Sequence, residues 1–202
     1  MSVQRSRIDL LRHGACEGGE IFRGSTDVAL SAEGWAQMRS KLAAIDEGNW
    51  DRIIASPLQR CARFAETLAD EQGIPLVVDE ALREIHFGDW EGLPHSEAQQ
   101  RDPEVWRRFW ESPEQASPPN GENMADFSRR VCKALDRIAS QHLGESLLLV
   151  VHGAVIRVML CHWLGMPMGA MTRFSVPYAG FSRFHIYHQQ GREPWVQLHF
   201  HG

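Results

Sequence analysis

The sequence has few cysteines, no long apolar run and no cluster of basic residues, and each absence argues against a class of protein. The four cysteines lie far apart, so neither a zinc site nor a disulfide framework is indicated. No apolar stretch is long enough to cross a bilayer, and residues 1–7 lack the apolar core of a secretory signal. With a formal net charge of −5, the chain offers little to a nucleic-acid backbone. We expect a cytoplasmic protein without a metal, a membrane anchor or a nucleic-acid partner.

The composition is that of an ordinary globular protein. Hydrophobic residues make up 43% of the 202 residues and charged residues 23%, which is enough apolar material for one sizeable core. No internal repeat, low-complexity segment or linker divides the chain. We expect a single domain over residues 1–202, present as a monomer or a homodimer.

Strands that alternate with helices along the chain predict an α/β fold. Apolar runs predict strands at 8–11, 50–55, 75–78, 146–151, 181–188 and 195–201. Capping residues and apolar periodicity predict helices that begin at Ser31, at Ser56 and near Ala154, and a further helix at 123–141. We expect a three-layer sandwich, in which a mostly parallel central sheet has helices on both faces. Residues from about 89 to 123 are expected to form a cap-like insertion.

Two of the predicted strands end in a histidine followed by a glycine. An Arg-His-Gly triplet follows the first strand at 12–14, and a His-Gly pair follows the strongly apolar strand at 152–153. Because the carboxyl ends of parallel strands meet at one edge of a sheet, where ligands bind, we expect these side chains to converge. Arg60, near the start of a helix, brings a second guanidinium there. Arginines, histidines and helix N-termini around one point favour a dianionic phosphoryl group.

Four segments resemble, in order, the motifs of the histidine phosphatase family, which has the fold of cofactor-dependent phosphoglycerate mutase. They are Leu11-Arg12-His13-Gly14, Ser56-Pro57-Leu58-Gln59-Arg60, Arg83-Glu84-Ile85-His86-Phe87-Gly88 and Val151-His152-Gly153. Other segments are similar to the α-ribazole phosphatase branch, namely Gly24-Ser25-Thr26-Asp27, Phe87-Gly88-Asp89-Trp90-Glu91, Pro119-Asn120-Gly121-Glu122 and Leu164-Gly165-Met166-Pro167.

The resemblance implies a metal-independent phosphomonoesterase that works through a phosphohistidine and needs no cofactor. It makes His13 the nucleophile, and Glu84 first the general acid for the leaving alcohol and then the general base for water. The three transferring oxygens are held by Arg12, Arg60 and His152, and substrate contacts extend to Gly153 and Thr26. The partner is a small-molecule phosphomonoester, expected to be α-ribazole 5′-phosphate of cobalamin biosynthesis.

The sequence departs from the family pattern beside the expected nucleophile. Ala15-Cys16 stands where relatives often have Glu-Thr or Glu-Ser, and Gly18-Gly19 stands near where an asparagine often touches phosphate. These departures bear on substrate contacts more than on reaction type. Phosphoglycerate mutase, a broad-specificity small-molecule phosphatase and a catalytically idle phospho-ligand binding module therefore remain alternatives.

Several conspicuous residues have two interpretations. The tryptophans of the predicted cap either form a wall for a flat substrate or pack the cap onto the sheet; they are Trp90, Trp106 and Trp110. The pair Arg107-Arg108 either contacts a substrate carboxylate or lies on a solvated helix face. His199 and His201 share one face of the last predicted strand, but acidic or cysteine partners at ligand spacing are missing, which disfavours a metal site there.

Overall fold

A computed structural model describes residues 3–202 as a six-stranded sheet with helices on both faces. The strands are β1 (Gln4–Arg12), β2 (Arg52–Ala55), β3 (Leu76–Val78), β4 (Ser146–Val151), β5 (Phe181–His188) and β6 (Trp195–His201). The helices are α1 (Ala32–Ala43), α2 (Gln59–Gln72), α3 (His95–Arg101), α4 (Pro103–Glu111), α5 (Met124–Gln141) and α6 (Gly153–Trp163). Short 3₁₀ helices span Glu80–Leu82, Gly88–Trp90, Pro113–Gln115 and Met168–Arg173.

The sheet is mostly parallel, as the sequence predicts. Its strand order is β3-β2-β4-β1-β5-β6, and β1 to β4 run parallel to one another. β5 is antiparallel to β1, and β6 is antiparallel to β5. The central position of β4 agrees with its apolar sequence, because such a strand has both faces covered.

The two faces of β4 contribute to two separate hydrophobic clusters. Leu147, Leu149 and Val151 pack with α5 and α6, whereas Leu148 and Val150 pack with α1 and α2. This alternation follows from the two-residue period of a strand. The three-layer α/β sandwich predicted from the sequence is therefore confirmed, with the carboxyl ends of β1, β2 and β4 at the same edge of the sheet.

The helix expected to begin at Ser56 begins later, so that prediction is wrong. Helix α2 starts at Gln59, and its N-cap residue is Leu58, whose apolar side chain makes no capping hydrogen bond. Its first backbone amide is bound instead by the Asp27 carboxylate, at 2.7 Å from Gln59 N. The Ser56 hydroxyl is consequently available for another contact, described below.

The first strand is longer than predicted, and the last strand has the predicted bounds but contains a bulge. β1 extends back to Gln4 because it pairs with β5 from Gln4 to Leu11, and this pairing holds polar residues in the strand. In β6 the register shifts next to Arg183 and Phe184, leaving His199 as the extra residue of a bulge. His199 therefore stacks on His185, with ring centroids 4.7 Å apart, while the Nδ1 of His201 lies 2.8 Å from the Ser182 hydroxyl.

In the part of the chain that the structure describes, no helix combines the length and the apolar character needed to cross a membrane.

Candidate active site

The ends of β1 and β4 bring the two sequence-predicted histidines together. The two strands are hydrogen-bonded neighbours, and the His13 amide continues their ladder by donating to the Val151 carbonyl at 3.0 Å. The ring centroids of His13 and His152 lie 5.3 Å apart in an edge-to-face arrangement. The convergence expected from the two His-Gly pairs therefore occurs at the carboxyl edge of the sheet.

The His13 side chain is buried, and one of its nitrogens is committed to the backbone. Nδ1 lies 2.8 Å from the Gly14 carbonyl oxygen, which only accepts hydrogen bonds, so Nδ1 carries a proton and donates. In the neutral ring Nε2 is then left with a free lone pair. Burial, followed by the nearby charges of Arg60 and Arg12, holds the pKa of His13 well below its ordinary value. The ring is therefore neutral at physiological pH.

The His152 ring is also neutral, because one of its nitrogens accepts a hydrogen bond and its pKa is lowered. Its Nδ1 accepts a hydrogen bond from Arg60 Nε at 3.2 Å, and its Nε2 lies 2.7 Å from the Ser56 hydroxyl. Burial lowers the pKa of His152 well below its ordinary value, and the charge of Arg60 lowers it further. The Ser56 hydroxyl thus fixes the His152 ring instead of capping α2.

The Arg60 guanidinium is fully buried and held by a loop of the chain. Its Nη2 donates to the carbonyls of Arg23 and Gly24 at 2.7 and 2.8 Å, and its Nη1 donates to the Thr26 carbonyl at 2.9 Å. Arg60 and His152 lie behind the wall of the active-site cavity described below, and the lining of that cavity includes neither of them.

The carboxylate of Glu91 binds the same loop, residues 23–26, whose carbonyls accept from Arg60. Glu91 accepts the backbone amides of Ser25, Thr26 and Phe87 at 2.8 to 2.9 Å, and it also accepts the hydroxyls of Ser25 and Thr26. Although burial raises the pKa of Glu91, these hydrogen bonds outweigh that effect and hold it below its ordinary value. The Thr26 side chain, expected at the substrate, is bound to Glu91 and is not part of the cavity lining.

The turn after His13 packs directly on the start of α1. A Cβ atom added at Gly14 would overlap the backbone of Gly34, and one added at Gly34 would overlap the backbone of Ala15. Ser31 connects the same two segments, because its amide donates to the Ala15 carbonyl at 3.0 Å and its hydroxyl caps Gly34 N. Only glycine permits this backbone-to-backbone approach at both positions.

A cavity of about 190 Å³, here called the active-site cavity, opens beside His13. Arg12, Arg23 and Arg157 line it, together with Glu84. Within residues 3–202 no carboxylate lies within ion-pairing distance of Arg12, Arg23, Arg157 or the buried Arg60. The lining thus has three guanidinium groups and one carboxyl group, so the cavity favours an anionic ligand.

The Glu84 side chain lines the cavity beside the N-terminus of α6. Its Oε2 accepts the Ala154 amide at 3.1 Å, and its Oε1 accepts the amide of Ile85 at 3.2 Å. Gly153, the first residue of α6, lies beside Arg12, because a Cβ added there would be 3.3 Å from Arg12 Nε. The expected acid, the helix N-terminus and Arg12 therefore border the same space.

Comparison with known proteins agrees with this geometry. The family model for the histidine phosphatase superfamily (branch 1) matches residues 8–197. The chain belongs to the histidine phosphatase superfamily. The family resemblance inferred from the motifs is thereby confirmed.

Relatives of this histidine phosphatase superfamily member have names that refer to different activities. A bifunctional protein of Mycobacterium tuberculosis is 36% identical over 90% of the chain, and the chain spans 50% of the length of that relative. Phosphoserine phosphatase 1 of Hydrogenobacter thermophilus is 26% identical over 89% of the chain and 86% of its own length. The crystal structure of the alpha-ribazole phosphatase from Shigella flexneri has a TM-score of 0.79 at 26% identity, over 95% of each chain.

This family member has cavity residues that sequence reasoning did not find. Arg157 and Tyr178 line the cavity, as does Arg23. Arg157 lies four residues after Gly153 in α6, so helical spacing offered a signal for it. Tyr178, whose ring lies 4.3 Å from the Arg12 guanidinium carbon, offered no such signal, because its place depends on the antiparallel pairing of β5 with β1.

The cap aromatics separate into core and cavity residues. Trp90 is fully buried in the hydrophobic core and donates its indole N–H to Asp102 at 3.2 Å, so it has a packing role. Trp106 packs against Trp90 at a ring distance of 5.8 Å, outside the cavity lining. Trp110 lines the cavity, together with Phe22, Phe87 and Phe109. Packing therefore accounts for Trp90 and Trp106, and Trp110 alone of the three tryptophans lines the cavity.

The remaining candidates are not part of the cavity lining. Arg107 is exposed on α4, where it pairs with Glu104 at 2.6 Å and with Glu111. Among the described residues there is no group of three or more histidine, cysteine or acidic side chains placed to hold a metal ion. Cys16 is buried, with its sulfur 3.6 Å from His13 Nδ1, and burial raises the pKa of its thiol.

Proposed function

We propose that this protein hydrolyses small phosphomonoesters through a phosphohistidine formed at His13. The observation that supports this most directly is a neutral imidazole with Nδ1 fixed on a backbone carbonyl, beside a cavity whose arginines have no carboxylate partner among residues 3–202. A neutral ring nitrogen is a competent nucleophile. Unpaired guanidiniums offer the charge that a phosphoryl group needs during transfer.

In the first step, Nε2 of His13 attacks phosphorus and the ester P–O bond breaks. Arg12 and, from behind the wall, Arg60 and His152 stabilise the charge on the three transferring oxygens. Glu84 donates its proton to the departing alcohol oxygen, since an alkoxide is a poor leaving group. The Gly14 carbonyl stabilises the Nδ1–H of the phosphorylated ring.

In the second step, water attacks the phosphorus of phosphohistidine in line with the N–P bond. Glu84, now a carboxylate, takes a proton from that water as the bond to Nε2 breaks. Inorganic phosphate leaves and the neutral His13 ring is restored. Because arginines and a helix N-terminus supply the neutralising charge, we expect activity to survive EDTA and to be inhibited by vanadate.

The test of this proposal is trapping of the intermediate. Purified protein is incubated with labelled p-nitrophenyl phosphate and quenched in alkali, which should preserve an acid-labile phosphoryl group on His13. His13→Ala should abolish both labelling and turnover. His162→Ala is the control, because His162 pairs with Asp136 at 2.7 Å and lies outside the cavity lining. A fully active His13→Ala variant would refute the proposal.

The proposed acid is tested with leaving groups of different quality. Glu84→Gln should slow phosphoenzyme formation far more for an alkyl phosphate than for p-nitrophenyl phosphate, whose leaving group needs no proton. Glu91 and Glu122 are the other nearby carboxylates, but the first is bound to the 24–26 loop and the second pairs with Arg130 at 2.9 Å. Equal losses with both substrates would exclude Glu84 as the acid.

For the substrate we propose α-ribazole 5′-phosphate, which would give the protein a role in cobalamin biosynthesis. The cavity supports this with an anionic-ligand end at Arg12 and an aromatic wall of Phe22, Phe87, Phe109 and Trp110. Stacking on aromatic rings contributes roughly 0.5–1.5 kcal/mol beyond burial. We expect kcat/KM to be at least about tenfold higher for this ester than for 3-phosphoglycerate, and Trp110→Ala to erode that preference.

Phosphoserine is the second candidate, and Arg157 is the observation that favours it. Arg157 lines the cavity beside Gly153, and burial lowers the pKa of its guanidinium. A cation at that place suits a substrate carboxylate. If phosphoserine is the better substrate and Arg157→Gln removes the preference while Arg107→Gln does not, this candidate replaces the first. The exposed, ion-paired Arg107 offers no such contact.

A further inference from the structure

The Arg23 side chain reaches the active-site cavity from the loop that follows the nucleophile. The neighbouring backbone is fixed, because Phe22 N donates to the Leu93 carbonyl and Gly92 N donates to the Phe22 carbonyl, both at 2.9 Å. The Arg23 carbonyl accepts from Arg60 at 2.7 Å. The residue therefore stands on a rigid segment, and not on a free loop.

The guanidinium of Arg23 is held at one nitrogen only. Its Nη2 donates to the carbonyls of Glu17, at 2.7 Å, and Gly19. Both of these hydrogen bonds come from Nη2, and Nε is buried without a partner among residues 3–202. A guanidinium has five N–H donors in a rigid fork. Nη1 makes no hydrogen bond to residues 3–202 and is not among the buried polar atoms, so it remains available to a ligand in the cavity.

Burying the charge of the Arg23 guanidinium costs free energy unless an anion binds beside it. The residue is 7% exposed, and it lines the cavity beside His13. No carboxylate of residues 3–202 lies within ion-pairing distance of it. Three residues of this loop line the cavity, namely Ile21, Phe22 and Arg23, and of these only Arg23 is polar. Gly18 and Gly19 have no side chains that could contribute a polar group. A buried, unpaired cation is expected to be partnered when the protein works.

We propose that Arg23 is a further phosphate-binding residue, which donates from Nη1 to an oxygen of the transferring phosphoryl group beside His13. The proposal rests on the proposed function, since it assumes that phosphoryl transfer occurs at His13. It has independent support in the electrostatics: after burial, Arg60 and Arg12, the charge of Arg23 also contributes to lowering the pKa of His13. Arg23 therefore lies close enough to act on the same group.

The test begins with wild-type hydrolysis of p-nitrophenyl phosphate, because its absence would refute the proposed function before Arg23 is examined. Arg23→Gln should then weaken vanadate inhibition and lower kcat/KM, each by at least about tenfold. Glutamine keeps an amide that can reach the Glu17 or Gly19 carbonyl, so the loop retains its anchor. Arg107→Gln is the matched control, because Arg107 is exposed and ion-paired outside the cavity, and both values should stay at the wild-type level.

Two further readouts separate phosphate binding from a structural effect. Removal of the Arg23 charge should move the acidic limb of the kcat/KM profile to higher pH, since one of the charges disfavouring protonation of His13 is lost. Arg23→Lys keeps the charge without the fork, and should weaken vanadate inhibition severalfold even if Arg23→Gln fails to fold. Unchanged vanadate inhibition in either folded variant overturns the proposal. A decrease in kcat/KM of the Arg23 variants that is confined to substrates with a second acidic group would also overturn the proposal. In that case Arg23 would bind the second acidic group and not the transferring phosphoryl group.

Discussion

Strand β1 contributes to two charged sites that lie three residues apart and have opposite characters. At Asp9, the carboxylate accepts Nε and Nη2 of Arg183 and the indole N–H of Trp50, each at 2.8 Å. At Arg12, Nη1 donates to the Val176 carbonyl, while Nε is buried without a partner. One site is complete in the protein alone, whereas the other lacks an anion.

The two guanidiniums report this difference in the direction of their pKa shifts. The hydrogen bonds that Arg183 donates to Asp9 raise the pKa of Arg183, although burial acts against it. Burial lowers the pKa of Arg12, and the nearby acidic groups do not compensate for it. A buried charge that is matched by its neighbours stabilises one structure, whereas a buried charge left unmatched marks a place for a ligand. The comparison yields four predictions, ordered by expected size.

The largest effect is expected for Arg12→Gln. Loss of this cation should lower kcat by about 10³-fold, roughly 4 kcal/mol of transition-state stabilisation. The free energy of unfolding should stay the same or increase, because an unmatched buried charge is removed. Steady-state kinetics and urea unfolding measure the two effects on one preparation. A marked loss of stability would mean that Arg12 is matched after all, and the comparison would fail.

Asp9→Asn should produce the reverse pattern. It leaves Arg183 buried without its carboxylate, so the free energy of unfolding should fall by about 3–5 kcal/mol. The kcat of the protein that remains folded should stay within about twofold of wild type, since Asp9 lies away from the cavity lining. Urea unfolding checks the first value and active-site titration the second. Unaltered stability would show that the Asp9 cluster is dispensable.

Acid should destabilise the protein through His13 and His152. Their pKa values are lowered by burial and then by Arg60, so below pH about 6.5 the unfolded chain binds protons that the folded chain excludes. The free energy of unfolding should therefore fall as pH falls below this value, by up to about 1.4 kcal/mol per pH unit for each histidine. Urea unfolding from pH 7 to pH 5 measures the slope, and His13→Asn should reduce it. An equal slope in both proteins contradicts the assignment.

The smallest of the four effects is expected for Glu91→Gln, which perturbs the cavity from a distance. A glutamine amide offers one acceptor and one donor group, whereas both oxygens of Glu91 accept, so contacts with Ser25 or Thr26 must be lost. Displacement of the loop carbonyls that hold Arg60 should lower kcat/KM by about tenfold, or ~1.4 kcal/mol. Asp79→Asn is the control, since that half-buried carboxylate also accepts a backbone amide, of Ala81, outside the cavity lining. Equal losses in both variants would mean general destabilisation.

Sequence pattern predicts those features that depend on local periodicity. The bounds of β4, β5 and β6 agree with their predictions, and the layers follow from the alternation along β4. The meeting of His13 with His152 was predictable too, because both follow parallel strands. Each of these needs only the period of an element and the direction of its strand.

Features that depend on partners far along the chain were not predictable. Asp9 stands within an apolar run, and its partner Arg183 is 174 residues away on β5. The contact of Ser56 with His152 competes with capping of α2, and only the assembled sheet decides between them. Trp90 and Trp110 differ in burial because of how the cap sits, which helical spacing does not encode. The roles proposed for Glu84, Arg60 and Thr26 stay predictions until the variants are measured.

The backbone contact between Gly14 and Gly34 has a consequence for anyone who engineers this protein. No side chain fits at either position, so neither residue can be substituted to accommodate larger or differently shaped substrates on the α1 side of His13. Trp110, Phe109 and their neighbours on the cap side have side chains that can be exchanged. A randomised library should therefore yield improved variants from the cap and almost none from the turn, which divides the site into a fixed half and an evolvable half.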